Sequence, residues 1–301
     1  MSEVRFQVER GGYAPLANPL GCDEAELVRA TTRSLVAAVA ASREAADILN
    51  FDDGPAGSAN QYGVKGSQNS GDNKITVNLG WETVRRLTEA DVTPEQDQLL
   101  SIVRLRLPWW LEQLERVTRY GMLACGLPRD IVQRVVPEDQ TGGGMLRSAI
   151  YPNYGELPED AEVFSPHADR SVTTILLGAA VGRRHIAKIP SRLVKADRTK
   201  NEVAELSSLY HGRHCVLENR LGPDESVFMM GAGLYGLSES DRGAADGLPV
   251  AWHGGYSAAE GTSSVRQAEM FFASPPVGMI GQGWTLPTAA VNRPEIVRAD
   301  S

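Results

Sequence analysis

The sequence predicts a mainly β fold preceded by helices, and three observations point there. Short runs rich in apolar and β-branched residues crowd the second half, no amphipathic helices separate them, and the first half carries helix start signals. Strands that follow one another without crossover helices pair antiparallel, so an antiparallel sandwich or barrel is expected rather than a parallel sheet.

Taken in order, residues 1 to 10 interleave charged with apolar side chains and hold no apolar stretch of the kind an export signal needs. Asp23 and Glu26 form a D-x-x-E start signal, and the Ala- and Leu-rich stretch behind them predicts a helix to about Asn50. Residues 51 to 80, broken by Gly54, Pro55, Gly57, Gly63, Gly66 and Gly71, read as a long loop, a functional feature in compact domains. Thr93-Pro94-Glu95-Gln96 opens a second helix toward Gly126, which Pro108 is expected to kink or split; Trp109 and Trp110 read as core residues. From Met145 the period shortens, with strand-like runs at 145–151, 171–177, 226–230 and 264–273. Residues 182 to 222 read as an insertion whose first part is basic, from Arg183 to Lys200. A lid or a cradle for an anion is one reading of it and a solvated charged loop the other. The whole reads as one domain: a mainly helical region over 1–140, a β core over 141–285 and a tail over 286–301.

The 301 residues carry 38 acidic against 30 basic side chains, a net charge of −8 and a pI near 5.3. Nucleic acids and anionic membranes ask for concentrated Lys and Arg, so neither is expected as a partner, and small-molecule chemistry is. Leu35 to Ala41, the longest apolar run, is too short to span a bilayer, which takes about 20 residues. The three cysteines lie far apart without C-x-x-C spacing, which suggests neither disulfides nor a thiolate zinc site and fits a reducing cytoplasm.

Gly231-Ala-Gly-Leu-Tyr-Gly236 matches G-x-G-x-x-G after an apolar run. A dinucleotide site also needs a following helix, and the next residues are polar turn chemistry, so a plain turn is the better reading. Gly142-Gly-Gly144 lacks the Lys and Ser/Thr of a phosphate loop. His167-Ala168-Asp169 stands before a strand-like run, and in extended chain residues i and i+2 share a face, so imidazole and carboxylate can converge on one ion. His253, in a separate strand-like segment, completes a set of two His and one carboxylate. That set leaves positions open on an octahedral Fe(II), whereas a structural zinc site would want a fourth ligand. Alternation along 265–272 sets Arg266, Ala268, Met270 and Phe272 on one face and Val265, Gln267, Glu269 and Phe271 on the other. A buried Arg on a small, apolar face calls for an anion, and its planar fork suits a carboxylate; an internal Asp or Glu, or an exposed face, are the plainer readings. His185, His211 and His214 read as solvated surface.

These motifs resemble the isopenicillin N synthase-like family of Fe(II)/2-oxoglutarate-dependent oxygenases, with its H-x-D, distant His and R-x-S. Met145-Leu-Arg-Ser-Ala-Ile-Tyr-Pro152 resembles the family's L-R-x-x-x-Y-P strand, Val227 to Leu234 its V-x-x-G-D-x-L segment, and Leu123 to Pro128 the end of its long helix. The resemblance covers about residues 95 to 275 and implies a double-stranded β-helix, or jelly roll, behind N-terminal helices. It implies that His167, Asp169 and His253 hold Fe(II), that Arg266 takes the far carboxylate of 2-oxoglutarate, and that Tyr151 adds a hydrogen bond there. The implied activity is oxidation of a small molecule by dioxygen, by hydroxylation, desaturation or cyclisation, with release of succinate and CO2. The expected substrate is a natural-product intermediate, as in antibiotic or other secondary metabolism. The family's G-D is here Gly231-Ala232, and its Ser is Ala268, the latter of which brings in a second expectation: an oxidase of the same fold that needs no 2-oxoglutarate. A jelly-roll binding protein without catalysis and a dinucleotide-dependent dehydrogenase are the rival classes. Residues 51–80 and 182–222 are expected to border the mouth of the barrel. Substrate identity and oligomeric state are not encoded in any motif found.

Overall fold

The computed structural model describes residues 3–11, 13–52, 61–66, 74–90, 94–140, 143–152, 162–167, 169–178, 186–190, 194–195, 214–218, 224–231, 233–234, 248–251, 253–256 and 265–274. In chain order they form α1 (Glu3–Gly11), β1 (Tyr13–Ala17), α2 (Gly21–Ala41), α3 (Arg43–Leu49), β2 (Phe51–Asp52), β3 (Gln61–Gly66), β4 (Ile75–Gly80), α4 (Trp81–Glu89), α5 (Pro94–Ala124) and α6 (Arg129–Val135). Ten strands follow: β5 (Met145–Tyr151), β6 (Glu162–His167), β7 (Thr173–Leu177), β8 (Ile186–Pro190), β9 (Val194–Lys195), β10 (His214–Glu218), β11 (Glu225–Met230), β12 (Pro249–Val250), β13 (His253–Tyr256) and β14 (Arg266–Ala273).

The helix expected to reach Asn50 is two helices. Ser42 adopts an extended conformation, and its hydroxyl accepts the Ala45 N–H, so the residue that ends α2 caps α3. The long helix opens at Pro94 as its start signal predicts, and Pro108 lies inside it without dividing it. It ends as the sequence reading anticipates: Gly126 takes φ 88°, the Leu127 N–H reaches back to the Met122 carbonyl and the Gly126 N–H to that of Leu123. That is the paired C-terminal arrangement which glycine's freedom permits.

Residues 51 to 80 are not the loop that their glycines suggest. β2, β3 and β4 are strands of the large sheet, and Ile75-Thr-Val-Asn-Leu79 alternates apolar with polar side chains, with Val77, Asn78 and Leu79 all buried; the rest of the segment lies outside the described residues. Likewise 182 to 222 is not a plain insertion, because β8 and β10 within it pair with each other and β8 also pairs with β13. Basic residues flanking these two short strands hide their period.

An eight-stranded sheet runs β1-β11-β7-β14-β5-β4-β3-β2, and a four-stranded sheet runs β10-β8-β13-β6. All pairings in both are antiparallel. From β5 onward the chain passes back and forth between the two sheets: β5, β7, β11 and β14 in the large one, β6, β8, β10 and β13 in the small one. β9 and β12 pair separately.

Helices α2 and α5 pack across one face of the large sheet. Leu79, Leu146, Ile175, Phe228 and Phe271 meet Leu35, Leu107, Trp110, Leu111 and Leu114 there, all fully buried, and each such side chain contributes about 1.5–3 kcal/mol. Trp110 is core, as expected, whereas Trp109 is exposed. A polar clamp sits within this apolar layer. Arg29 of α2 donates from Nε to Glu269 Oε2 of β14 at 2.9 Å and from Nη2 to the Gly178 carbonyl at 2.6 Å. Gln267 donates to Thr32 and Ser148, both at 2.9 Å, and Ser148 in turn donates to Glu269. Burial raises the Glu269 carboxyl pKa, and Arg29 opposes that shift. The opposite face of the sheet carries smaller apolar clusters, Ala149 and Tyr151 with Met270, and Val227, Met229 and Ala251 with Tyr13 and Leu176.

Arg29→Met strands a buried carboxylate and is expected to cost about 3–5 kcal/mol in urea unfolding, most of it recovered in Arg29→Met/Glu269→Leu. A second prediction concerns Glu115, which accepts the Trp81 indole N–H at 2.8 Å. Burial pushes its carboxyl up to about 7 from 4.5, with the Trp81 bond and Arg119 opposing the shift. The folded chain therefore holds this proton more tightly than the unfolded chain. The stability it contributes is present below pH 4.5 and is lost as pH rises through 7. Glu115→Gln is expected to remove up to about 3 kcal/mol of that slope, read from urea midpoints across the window.

Candidate active site

The candidate site faces away from the helices, and the registers of two strand pairs, β6 with β13 and β5 with β14, bring its residues together. β6 ends at His167, and β13 begins at His253 directly opposite it in the antiparallel pair, with the register shifting just beyond. The side chains of these two residues lie outside the described ones; their backbones are cross-strand neighbours. Ala251, just before His253, is buried against Val227 and Met229, and its N–H bonds the Met230 carbonyl, which ties the start of β13 to the same face.

Asp169, two residues past His167, is buried at 8% exposure. Thr174 of β7 donates its hydroxyl to Asp169 Oδ2 at 2.7 Å; because that proton is committed, Ser171 donates to Thr174 at 3.0 Å. Carboxylate direction is thus set by a two-hydroxyl relay within the H-x-D turn. The glycine motif that suggested a dinucleotide holds this turn in place. The Gly231 N–H bonds the Val172 carbonyl at 2.8 Å and the Gly233 N–H the Ser171 carbonyl at 2.9 Å, so neither donor is open to a pyrophosphate. A Cβ on Gly231 would lie 2.1 Å from the Ser171 oxygen and 2.9 Å from that of Asp169. Residues 237 to 247 lie outside the described ones.

Arg266 opens β14 opposite Tyr151 of β5, and its guanidinium carbon stands 5.1 Å from the Tyr151 ring centroid. Both are buried at 7% exposure, on the face away from the helices. The alternation expected for 265–272 holds: Gln267 and Glu269 bond into the α2 clamp, while Arg266, Ala268 and Met270 take the other face. Ala268 lies opposite Ala149, two small side chains beside Arg266. His214 begins β10, whereas His185 and His211 lie outside the described residues. Among the described side chains no group of three His, Cys, Asp or Glu forms, and no helix is long and apolar enough to cross a membrane. Sequence reasoning missed the support of Asp169. The S-x-x-T spacing from Ser171 to Thr174 is its signal, and the Gly-x-Gly pair, which by itself reads as a turn, is the other half of that support.

No protein-family model matches this chain, and no curated protein does. Solved structures do. An oxygenase from Shewanella oneidensis superposes with TM-score 0.56 at 15% identity, over 90% of this chain and 85% of that one. A 2OG-Fe(II) oxygenase family protein from Caulobacter crescentus gives 0.55 at 22%, over 91% and 81%. A full-length Neurospora crassa protein, crystallised in complex with alpha-KG, gives 0.56 at 15%, over 90% and 77%. The chain has the fold of the 2OG-Fe(II) oxygenases. Within that fold the pairing of His167 with His253, the buried Asp169 and the Arg266–Tyr151 pair are features of this chain's own backbone and side chains.

Gly231→Ala is expected to push the 169–172 turn outward, costing about 1–3 kcal/mol in thermal or urea unfolding.

Proposed function

We propose that this chain is an Fe(II)/2-oxoglutarate-dependent oxygenase acting on a small molecule, built on a double-stranded β-helix. The observation that carries the reading is the register of β6 and β13, with His167 opposite His253 and the buried Asp169 two residues from the first. Two imidazoles and a carboxylate suit a divalent iron, and the carboxylate offsets part of its charge. The passage of successive strands between the two sheets supports the jelly-roll assignment.

The donor set fits the group. His167, Asp169 and His253 would hold Fe(II), and Arg266 would take the distal carboxylate of 2-oxoglutarate in a bidentate contact. Iron and 2-oxoglutarate together supply dioxygen activation, coupled to decarboxylation of the keto acid to succinate and CO2. The chain's own contributions are positional. Thr174 holds one Asp169 oxygen and so sets the direction of the carboxylate. Tyr151, lying in register beside Arg266, limits where the guanidinium can swing, and Ala149 and Ala268 leave room beside it. Val227 and Met229, buried against Ala251 just before His253, give that edge of the site an apolar lining.

The loss of the family Ser at Ala268 removes one hydrogen bond, worth about 0.5–1.5 kcal/mol, which weakens 2-oxoglutarate about tenfold at most. Ala268→Ser is accordingly expected to tighten 2-oxoglutarate by up to about tenfold in anaerobic titration. Asp169→Ala is expected to abolish Fe(II) binding while circular dichroism stays that of the wild type, and full activity in that variant would overturn the metal assignment. Succinate formed in step with product, and lost in Arg266→Ala, supports 2-oxoglutarate as co-substrate. Product formed from iron, oxygen and substrate alone would assign an oxidase that draws all four electrons from its substrate.

A further inference from the structure

Helix α5 is apolar on two faces, and the fold covers one of them. Its inner face, with Val103, Leu107, Trp110, Leu111 and Leu114, is buried on the large sheet. Its outer face carries Ile102, Leu105, Trp109, Tyr120 and Leu123, five of the six large apolar side chains that stand exposed among the described residues; Phe6 of α1 is the sixth. Leu105 is 75% and Tyr120 59% exposed, so neither is a core side chain with one edge showing. Single apolar residues at a surface are ordinary, whereas five on one helix side mark a contact surface. The other helices over the sheet lack such a feature. Exposed positions of α2 are polar or small, among them Asp23, Glu26, Arg33, Ser34 and Ala37, and those of α4 are Arg85, Arg86, Thr88 and Glu89.

The pattern on α5 is ordered. With the exposed Glu112 and Arg116, the five apolar residues fall at 102, 105, 109, 112, 116, 120 and 123, in steps of three and four that keep to one side of a helix for about 32 Å. That is the spacing with which one helix lies along another. Glu112 and Arg116 occupy the middle. Glu112 accepts one bond, from the Gln140 amide at 3.0 Å, and among the described residues neither it nor Arg116 has an ion-pair partner. Read from either end, the stripe is apolar outside and charged at the centre, with the sign of the central charges reversed. Two copies set antiparallel across a two-fold axis near Gln113 therefore bring Glu112 of each beside Arg116 of the other, and Leu105 of each toward Tyr120 and Leu123 of the other. Parallel copies would oppose Glu112 to Glu112 and Arg116 to Arg116.

We propose that the outer face of α5 is a dimer interface whose occupant is a second copy of this chain, antiparallel across a two-fold axis. An unrelated partner would ask only for the apolar residues; the central charges, which match their own reversal, select the chain itself. Trp, Tyr and Arg are also the side chains that most often anchor such contacts. The candidate site faces away from the helices, so the dimer leaves both sites uncovered. One helix face is smaller than the roughly 800 Å² per partner of a standard interface, and the expected dimer is reversible, with a Kd of about 1–100 μM.

Sedimentation velocity on the full chain tests this. The mass is expected to rise from 32.5 kDa toward twice that value as concentration increases from about 1 to about 200 μM. Leu105→Glu, at an exposed position, weakens the dimer about tenfold or more while circular dichroism and the thermal midpoint of the dilute protein stay those of the wild type. Glu112→Arg and Arg116→Glu each weaken it by a similar factor, because like charges then meet at the centre. Mixed in equal amounts, these two variants are expected to form a heterodimer, and Glu112→Arg/Arg116→Glu to associate as the wild type does. A chain that stays monomeric at about 200 μM overturns the proposal and leaves the stripe to a different protein. A dimer indifferent to Leu105→Glu, or charge variants that associate no better mixed than alone, overturns it as well.

Discussion

Strand β14 has to satisfy two environments at once, and its register is the constraint on which the rest depends. Its even-numbered residues give Arg266, Ala268 and Met270 to the site, while Gln267 and Glu269 lock into α2 through Arg29, Thr32 and Ser148. A slip of one residue would exchange every one of these, burying an arginine beneath the helices and presenting a carboxylate to the site. The buried Arg29–Glu269 pair is weak evidence of net stability, because taking both charges from water is expensive. Its value lies in making the wrong register far more expensive. The same bond that attaches the helical layer therefore aims the site arginine.

The Asp169 turn shows a second economy. Its carboxylate is fixed from within by Thr174 and Ser171, and its backbone from outside by Gly231 and Gly233. Two glycines at a strand end bring one backbone against another closer than any side chain allows. This explains why a sequence pattern that resembles a phosphate-binding loop occurs in a chain whose corresponding N–H groups are already occupied.

Much of the fold is legible in the sequence, and the failures have identifiable physics. β5, β7, β11 and β14 stand out because buried strands are apolar and β-branched, and α5 because Pro94 and Gly126 mark its ends with unambiguous backbone chemistry. β3 and β4 are hidden by glycines that read as loop. Gly63 does take φ 86°, and a Cβ there would lie 2.3 Å from the Leu49 carbonyl oxygen, so that glycine serves a close approach within a strand. The break at Ser42 is invisible because a serine inside an alanine-rich run reads equally well as helix interior or cap. The α2 clamp is out of reach for another reason: its partners are 240 residues apart, and no local period links Arg29 to Glu269. Arg147 stands in a recognisable motif, yet its contacts with Asn78 and Phe272 become visible only when the registers of β4 and β14 are known.

That separation also sets a timetable for the growing chain. β1 is an edge strand whose partner is β11, so Leu16 leaves the ribosome 210 residues ahead of the Ser226 it faces, and α2 closes on a carboxylate carried by β14, the last described strand of the large sheet. Contacts so distant in sequence form slowly, because long loops must close before the contacts repay the entropy lost. The helical first half therefore has no finished surface to fold onto during most of translation. Until β14 has emerged, Arg29 lacks its counter-ion and β1 can pair only if β11 is already out, so ordering of the site arginine and docking of the helical layer arrive together, as one late event rather than as domains completed in turn.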